Sequence, residues 1–95
     1  MTFIVKQPYI KVIREVGSVE KIEYEDERFI YLYEDKIVTE HREFPLADVF
    51  DLSYRKVGGQ GGLLFIHTNH SLYSYTVKSS PEYFIDICKR YITNI

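Results

Sequence analysis

LLFIHTNHSLYSYTVKSSPEYFIDICKRYI, residues 63–92, contains the two elements that decide the fold. Its first half is a pair of alternating runs on either side of Asn69 and His70. Alternation marks a strand with one dry face, and a two-residue connection makes the runs an antiparallel hairpin. The turn pairs Thr68 with Ser71, Ile66 with Tyr73 and Leu64 with Tyr75, and Asn tolerates the positive φ that such a turn demands. Leu64, Ile66, Tyr73, Tyr75 and Val77 then share the core face, with Phe65, His67, Leu72, Ser74 and Thr76 on the other. The second half predicts a helix over about residues 80–93. Ser80 can cap it, Pro81 suits the first helical position, and Glu82 complements the dipole. Phe84, Cys88, Tyr91, Ile92 and Ile95 recur at helical spacing as an apolar stripe, which a sheet must cover. Lys89 and Arg90 lie near the carboxyl end, where positive charge is favoured.

Working back from this stretch, short β-rich runs alternate with turn signals. Residues 9–16 (YIKVIREV) read as a strand introduced by Pro8, turning at Gly17 and Ser18 into a second strand over 19–24 (VEKIEY). The acidic triplet Glu25, Asp26 and Glu27 reads as the next turn, 28–33 (RFIYLY) as a third strand and 36–43 (KIVTEHRE) as a fourth. Pairing across Glu34 and Asp35 puts Ile30, Leu32, Ile37 and Thr39 on the core face, and Phe29, Tyr31 and Val38 on the other. Pro45 cannot sit inside a ladder, so Phe44 to Ala47 predict a short or single helical turn. In the fifth strand, 48–56 (DVFDLSYRK), Val49 and Phe50 do not alternate with Leu52 and Tyr54, which a bulge would reconcile. A glycine-rich loop then leads to the final hairpin over 63–68 and 71–77. The expected fold is mainly β (α+β): one domain over 1–95, a partly open barrel of seven antiparallel strands capped by a C-terminal helix.

This order resembles the pleckstrin-homology (PH)-like superfold. The stretch FIYLYEDKIVTEHREFPLADVFDLSYRK, followed by GLLFIHTNHSLYSYTVKSSPEYFIDICKRYI, is similar to the small bacterial PH-like domains. The features that carry the resemblance are the hairpin, Phe44-Pro45-Leu46-Ala47-Asp48-Val49 leading into the fifth strand, the Gly-containing loop, the last hairpin and a helix opening with Pro81 and Glu82. The resemblance implies the fold, not a ligand. Eukaryotic PH domains carry a tryptophan in the C-terminal helix and this chain has none, so phosphoinositide binding does not follow.

Composition narrows the function. The chain has 95 residues, nine Tyr, six Phe and no Trp, with a net charge of −2. A chain of this size buries roughly 60–65% of its unfolded surface, enough for one core. An overall electrostatic grip on nucleic acid or anionic lipid needs a basic excess, which is missing. Cys88 is the only cysteine, and Met1-Thr2-Phe3-Ile4 carries no signal-peptide pattern, so the cytoplasm is the expected location. No apolar run approaches the roughly 20 residues of a membrane helix.

Chemistry-bearing motifs are sparse. His67 and His70 are three apart, but a structural zinc site wants four ligands. Gly58, Gly59, Gly61 and Gly62 flank Gln60, but a phosphate loop needs a following Lys–Ser/Thr pair and a helix, and here a strand follows. Asp35, Asp48, Asp51 and His41 form no acid–base constellation. Cys88 lies on the apolar stripe, where a thiol is inert. We expect no enzyme, no metal and no cofactor. The first expectation is an interaction module that binds a protein or peptide, or its own copies, through a sheet edge or the outer face carrying Phe65, His67, Leu72, Tyr31 and Tyr54. The alternative is a lipid-headgroup or small-anion site formed by Lys11, Arg14 and Lys21 of the first hairpin with the glycine loop. Glu15, Glu20 and Glu23 interleave with those cations and dilute the field. Stacking of single-stranded nucleic acid on Tyr and Phe is opposed by the acidic balance.

Overall fold

The computed structural model describes residues 2–17, 21–58 and 61–92, with the side chains of residues 14–16, 21 and 22 outside the description. Seven antiparallel strands form one open sheet: β1 (Val5–Val16), β2 (Lys21–Leu32), β3 (Lys36–Val38), β4 (Glu43–Pro45), β5 (Val49–Lys56), β6 (Gly62–Thr68) and β7 (Leu72–Val77). Helix α1 (Glu82–Ile92) ends the described chain. The order across the sheet is β4-β3-β2-β1-β7-β6-β5. The two edge strands, β4 and β5, are joined directly by a single 3-10 turn, Leu46–Asp48. The sheet therefore curls around its own core without closing.

Alternation along each strand sorts residues into an inner and an outer face. The inner face supplies Tyr9, Ile30, Leu32, Ile37, Phe44, Val49, Leu52, Leu64, Ile66 and Val77, all buried. Helix α1 completes this core with Phe84, Ile85, Cys88 and Ile92, packing chiefly on β5. Lys89 reaches Asp51 of β5 at 3.5 Å. The Ser80 hydroxyl accepts from the Glu82 N–H at 3.4 Å, and the Pro81 carbonyl takes the first helical bond from Ile85 at 2.8 Å. Pro81 is itself fully buried.

The strand count matches the expectation, but two boundaries differ. Glu25, Asp26 and Glu27 do not turn; they lie inside β2, opposite Val12, Lys11 and Ile10 of β1. The acids are held in the ladder by charge partners: Lys78 binds Glu25, and Arg28 binds Asp26 at 3.0 Å. The predicted second and third strands are thus one. Conversely, the run 36–43 breaks into β3 and β4, because Thr39 folds back on Arg42, its N–H 2.8 Å and its hydroxyl 3.3 Å from the Arg42 carbonyl oxygen. Pro45 is tolerated as the last residue of an edge strand. The bulge in β5 is present, as a register shift between Val49 and Asp51. It extrudes Phe50, which is 57% exposed, so that Val49 and Leu52 can both point inward.

The final hairpin has the expected register, Ile66 opposite Tyr73 and Leu64 opposite Tyr75. Its turn works differently. No described non-glycine residue has a positive φ. Instead the Thr68 hydroxyl accepts from the His70 and Ser71 N–H groups (3.2 and 3.0 Å) and donates to the Ser71 carbonyl at 2.8 Å. On α1, Tyr91 is 39% exposed and Ile85 takes the buried position instead; Ile95 lies outside the described residues. The turn at Gly17 and Ser18 and the start of the strand expected over 19–24 fall largely outside the description too.

The molecule measures 54 × 28 × 27 Å. A 12-residue antiparallel strand runs about 40 Å, so the β1–β2 hairpin accounts for most of the long axis. Its outer half, from Lys11 and Asp26 onward, parts from β7 as a two-stranded ribbon.

Candidate functional site

The site begins with a break in hydrogen bonding. β1 and β7 are neighbours in the sheet, yet they pair at one position, Ile10 with Thr76. Beyond it the strands part, and a cleft of about 400 Å³ opens between Tyr9, Ile10, Lys11 and Val12 on one side and Tyr73, Ser74, Tyr75 and Thr76 on the other. Which backbone groups face it follows from the ladders. In antiparallel pairing, successive residues turn their N–H and C=O to opposite neighbours. Thr68 donates to the Ser71 carbonyl across the last hairpin at 3.0 Å, so Tyr73 and Tyr75 bond to β6 and Leu72 and Ser74 face away from it. At the other end of the sheet, the Tyr33 N–H bonds Lys36 at 2.8 Å. That turns Ile30 and Leu32 towards β1, so that Tyr9 and Lys11 face β2 while Ile10 and Val12 face β7. Ile10 and Thr76, the bridged pair, accordingly face each other. Val12 and Ser74 therefore present main-chain donors and acceptors to the cleft.

The cleft floor is aromatic and hydroxylated. Tyr9 and Tyr75 meet edge to face at 5.1 Å. Burial pushes the Tyr75 phenol above its ordinary value of 10.0, against the opposing effect of a hydrogen bond with Thr39. The phenol stays neutral and available as a donor at any physiological pH. Lys11, Arg28 and Arg42 bring positive charge to the rim beside His41, and among the described residues no Asp or Glu lines it. Arg28 is already engaged, 3.0 Å from both Asp26 and Glu40, and the hydrogen bond to Asp26 is the main reason its guanidinium holds its proton more tightly than usual. Arg42 stacks on Tyr73, 4.6 Å from the ring centroid, with its Nη1 3.4 Å from the Tyr73 hydroxyl. Among the described residues no carboxylate forms an ion pair with Arg42.

The structure distributes the sequence-predicted residues differently. Phe65, His67 and Leu72 do share the outer face of β6 and β7, where Leu72 sits opposite His67 and is 54% exposed. Phe50 joins them, 5.9 Å from the His67 ring, and the His67 Nε2 lies 2.8 Å from the Ser53 hydroxyl. Tyr31 is on the same outer side but on β2, two strands from β7 and three from β6, grouped with Phe3 (5.1 Å) and Phe29 (6.2 Å). Lys6 sits 4.8 Å over the Phe29 ring. Tyr54 is not on this surface: the bulge at Phe50 sets it on the inner side, against the core. Of the anion-site residues, Lys11 reaches the cleft rim. The side chains of Arg14 and Lys21, and Gly59, lie outside the described residues, while Gly58, Gly61 and Gly62 do not line the cleft. The other residues that gather there, Arg28, His41 and Arg42, carry no local sequence signal. Each belongs to a segment that meets Lys11 only through long-range strand pairing.

Catalytic chemistry finds no purchase at Cys88. The thiol is fully buried and burial pushes it from 9.0 up to about 12. Ellman's reagent is expected to leave it untouched in the folded protein and to label it at the rate of unfolding. Because the folded-state value is the higher one, this group's contribution to stability is complete below pH 9.0 and declines as pH rises towards 12. Alkaline urea titrations should show that decline, and Cys88→Val should flatten it. Among the described residues no group of three or more His, Cys, Asp or Glu is placed to hold a metal ion. No described helix is long and apolar enough to cross a membrane. Compared with known proteins, the chain matches no family model, no curated protein and no solved structure.

Proposed function

We propose that this chain is a PH-like, non-catalytic interaction module of the cytoplasm that takes up an extended protein segment by strand addition between β1 and β7. The single observation that carries the reading is the parting of β1 from β7 after Ile10 and Thr76, which leaves Val12 and Ser74 facing a cleft. Main-chain edges of this kind accept a further strand with little demand on its sequence. The cleft falls within the roughly 300–1,000 Å³ of ordinary ligand sites, and the Tyr9 and Tyr75 rings form its floor. The strand order and the capping helix support the PH-like reading of the scaffold.

The test uses a proline. At position 74 the lost N–H is one that faces the cleft, not β6, so Ser74→Pro removes an edge donor while the β6–β7 ladder keeps its bonds. Decamers selected from a random phage-displayed library on the wild-type protein are expected to lose binding to Ser74→Pro. Circular dichroism of that variant should remain native. Failure to select any decamer, or equal binding by the folded variant, overturns strand addition.

A second reading is favoured by the cations on the rim: the cleft takes a small anion or a lipid headgroup. Sedimentation with anionic vesicles at low salt tests it, and absence of co-sedimentation together with no shift in melting temperature by inositol phosphates ends it.

A further inference from the structure

The cleft has a charge character opposed to that of the chain. The protein carries a net charge of −2, yet the cleft lining contains Lys11, Arg28, His41 and Arg42 and, among the described residues, no carboxylate. Arg28 lies 3.0 Å from both Asp26 and Glu40, a cluster with one negative charge in excess, so that Lys11 and Arg42 leave the site one positive charge overall. The unspent charge is that of Lys11 and Arg42, and these stand on opposite walls. Lys11 belongs to β1, and Arg42 is fixed against β7 by Tyr73, at 4.6 Å from its ring. One in-plane donor, Nη1, goes to the Tyr73 hydroxyl at 3.4 Å, and stacking on the ring leaves the remaining N–H groups of the guanidinium to meet a carboxylate.

We propose that the segment received by this cleft is acidic, with carboxylates at alternate positions that meet Lys11 and Arg42 while the side chains between them face outward. The proposal rests on strand addition and deepens it. Period two is imposed by the geometry: a strand lying between β1 and β7 sends every second side chain to the inner side, where Tyr9, Tyr75 and both cations lie. Successive inner-facing side chains stand about 7 Å apart, so two carboxylates at positions i and i+2 can engage the two walls at once. Basic segments are excluded by the same charges, since a Lys or Arg at those positions would meet Lys11 and Arg42 in a partly desolvated cleft.

The experiment follows the composition of the selected decamers. Binders that depend on Ser74 are expected to be enriched in Asp and Glu at alternating positions. Replacing two such Glu residues by Gln in a fluorescein-labelled synthetic decamer should weaken binding to the wild-type protein by about tenfold or more. Against the Arg42→Gln protein the acidic and amide decamers should bind within about threefold of each other, and raising NaCl should erode the wild-type preference. Ser74-dependent decamers with no acidic preference, or an acidic preference that survives Arg42→Gln together with Lys11→Gln, overturn the proposal while strand addition stands. Absence of any Ser74-dependent decamer removes both.

Discussion

Phe84→Ala is expected to lower the unfolding free energy by about 3–5 kcal/mol, the cost of emptying a large aromatic position in a core that cannot collapse around it. Phe84 is 1% exposed and is the largest fully buried side chain in the molecule's described part. It belongs to the one described α-helix and shares a single hydrophobic cluster with Leu52 and the other inner-face residues of the sheet. A chain of this length has a total stability of roughly 5–15 kcal/mol, so the variant should sit near its unfolding threshold at 37 °C. Urea denaturation followed by far-ultraviolet circular dichroism reads the change directly. Phe84→Leu should recover more than half of the loss. A cost below about 1.5 kcal/mol for the alanine variant would mean that α1 does not cap the sheet.

Gly62→Val should be the next most damaging change, at about 3 kcal/mol, the upper part of the range for overpacking. A Cβ at position 62 would lie 2.2 Å from the Arg55 carbonyl oxygen, 2.8 Å from Tyr54 Cε1 and 3.0 Å from the Lys56 Cα. Two of those neighbours are backbone, so β5 itself must move. That displacement would break the register that holds β5 to β6 at Lys56 and Gly62. Gly58→Ala separates crowding from conformation. Position 58 also belongs to the glycine loop and has a φ of 69°, but nothing lies within 4 Å of a Cβ there. Its cost should be confined to the left-handed backbone, about 1–2 kcal/mol. Thermal melts of the two variants should therefore differ, with Gly62→Val the less stable. Equal melting temperatures would contradict the close approach of β5 and β6.

The glycine loop shows how far sequence reasoning reaches here. The residues predict a flexible connection, and the structure gives two of them tasks: Gly62 for strand contact, and Gly61 for a φ of 79° beside the Val77 carbonyl. The last hairpin and the helix were legible because their signals are local: alternation in one case, 3.6-residue spacing and a cap in the other. The core face of Ile30, Leu32, Ile37 and Thr39 was legible for the same reason, and all four are buried. β2 was misread as two strands because three consecutive acids look like a turn when their partners are unseen. Those partners, Lys78 of the segment after β7 and Arg28 of β2 itself, appear only once the chain is folded. Tyr91 was placed on the buried stripe by spacing alone, although an 11-residue helix on a curved sheet buries a narrower strip centred on Phe84, Ile85, Cys88 and Ile92. The cleft was the least legible feature. Its walls are β1 and β7, about 65 residues apart in sequence, and its defining property is a ladder that stops. Pattern reading finds strands, but where two distant strands cease to pair depends on the accumulated twist of the whole sheet.

The opening between β1 and β7 gives the outer half of the first hairpin a physical role. A two-stranded ribbon alone is marginal in water, and the ribbon beyond Lys11 has only β2 beside β1. An incoming strand would convert that ribbon into three strands or more and bind it to the body of the sheet. Ladder hydrogen bonds to β1 gained on uptake would have to outweigh the conformational entropy lost as the ribbon stiffens.

Amide hydrogen exchange of the unbound protein, resolved by residue in nuclear magnetic resonance spectra, tests the central claim most directly. The Tyr73 and Tyr75 amides, bonded to β6, should be strongly protected, and the Ser74 amide between them should exchange at least about a hundredfold faster. Ser74 protected to the same degree as its two neighbours would mean that β1 and β7 are zipped together along their length and that the cleft is not there.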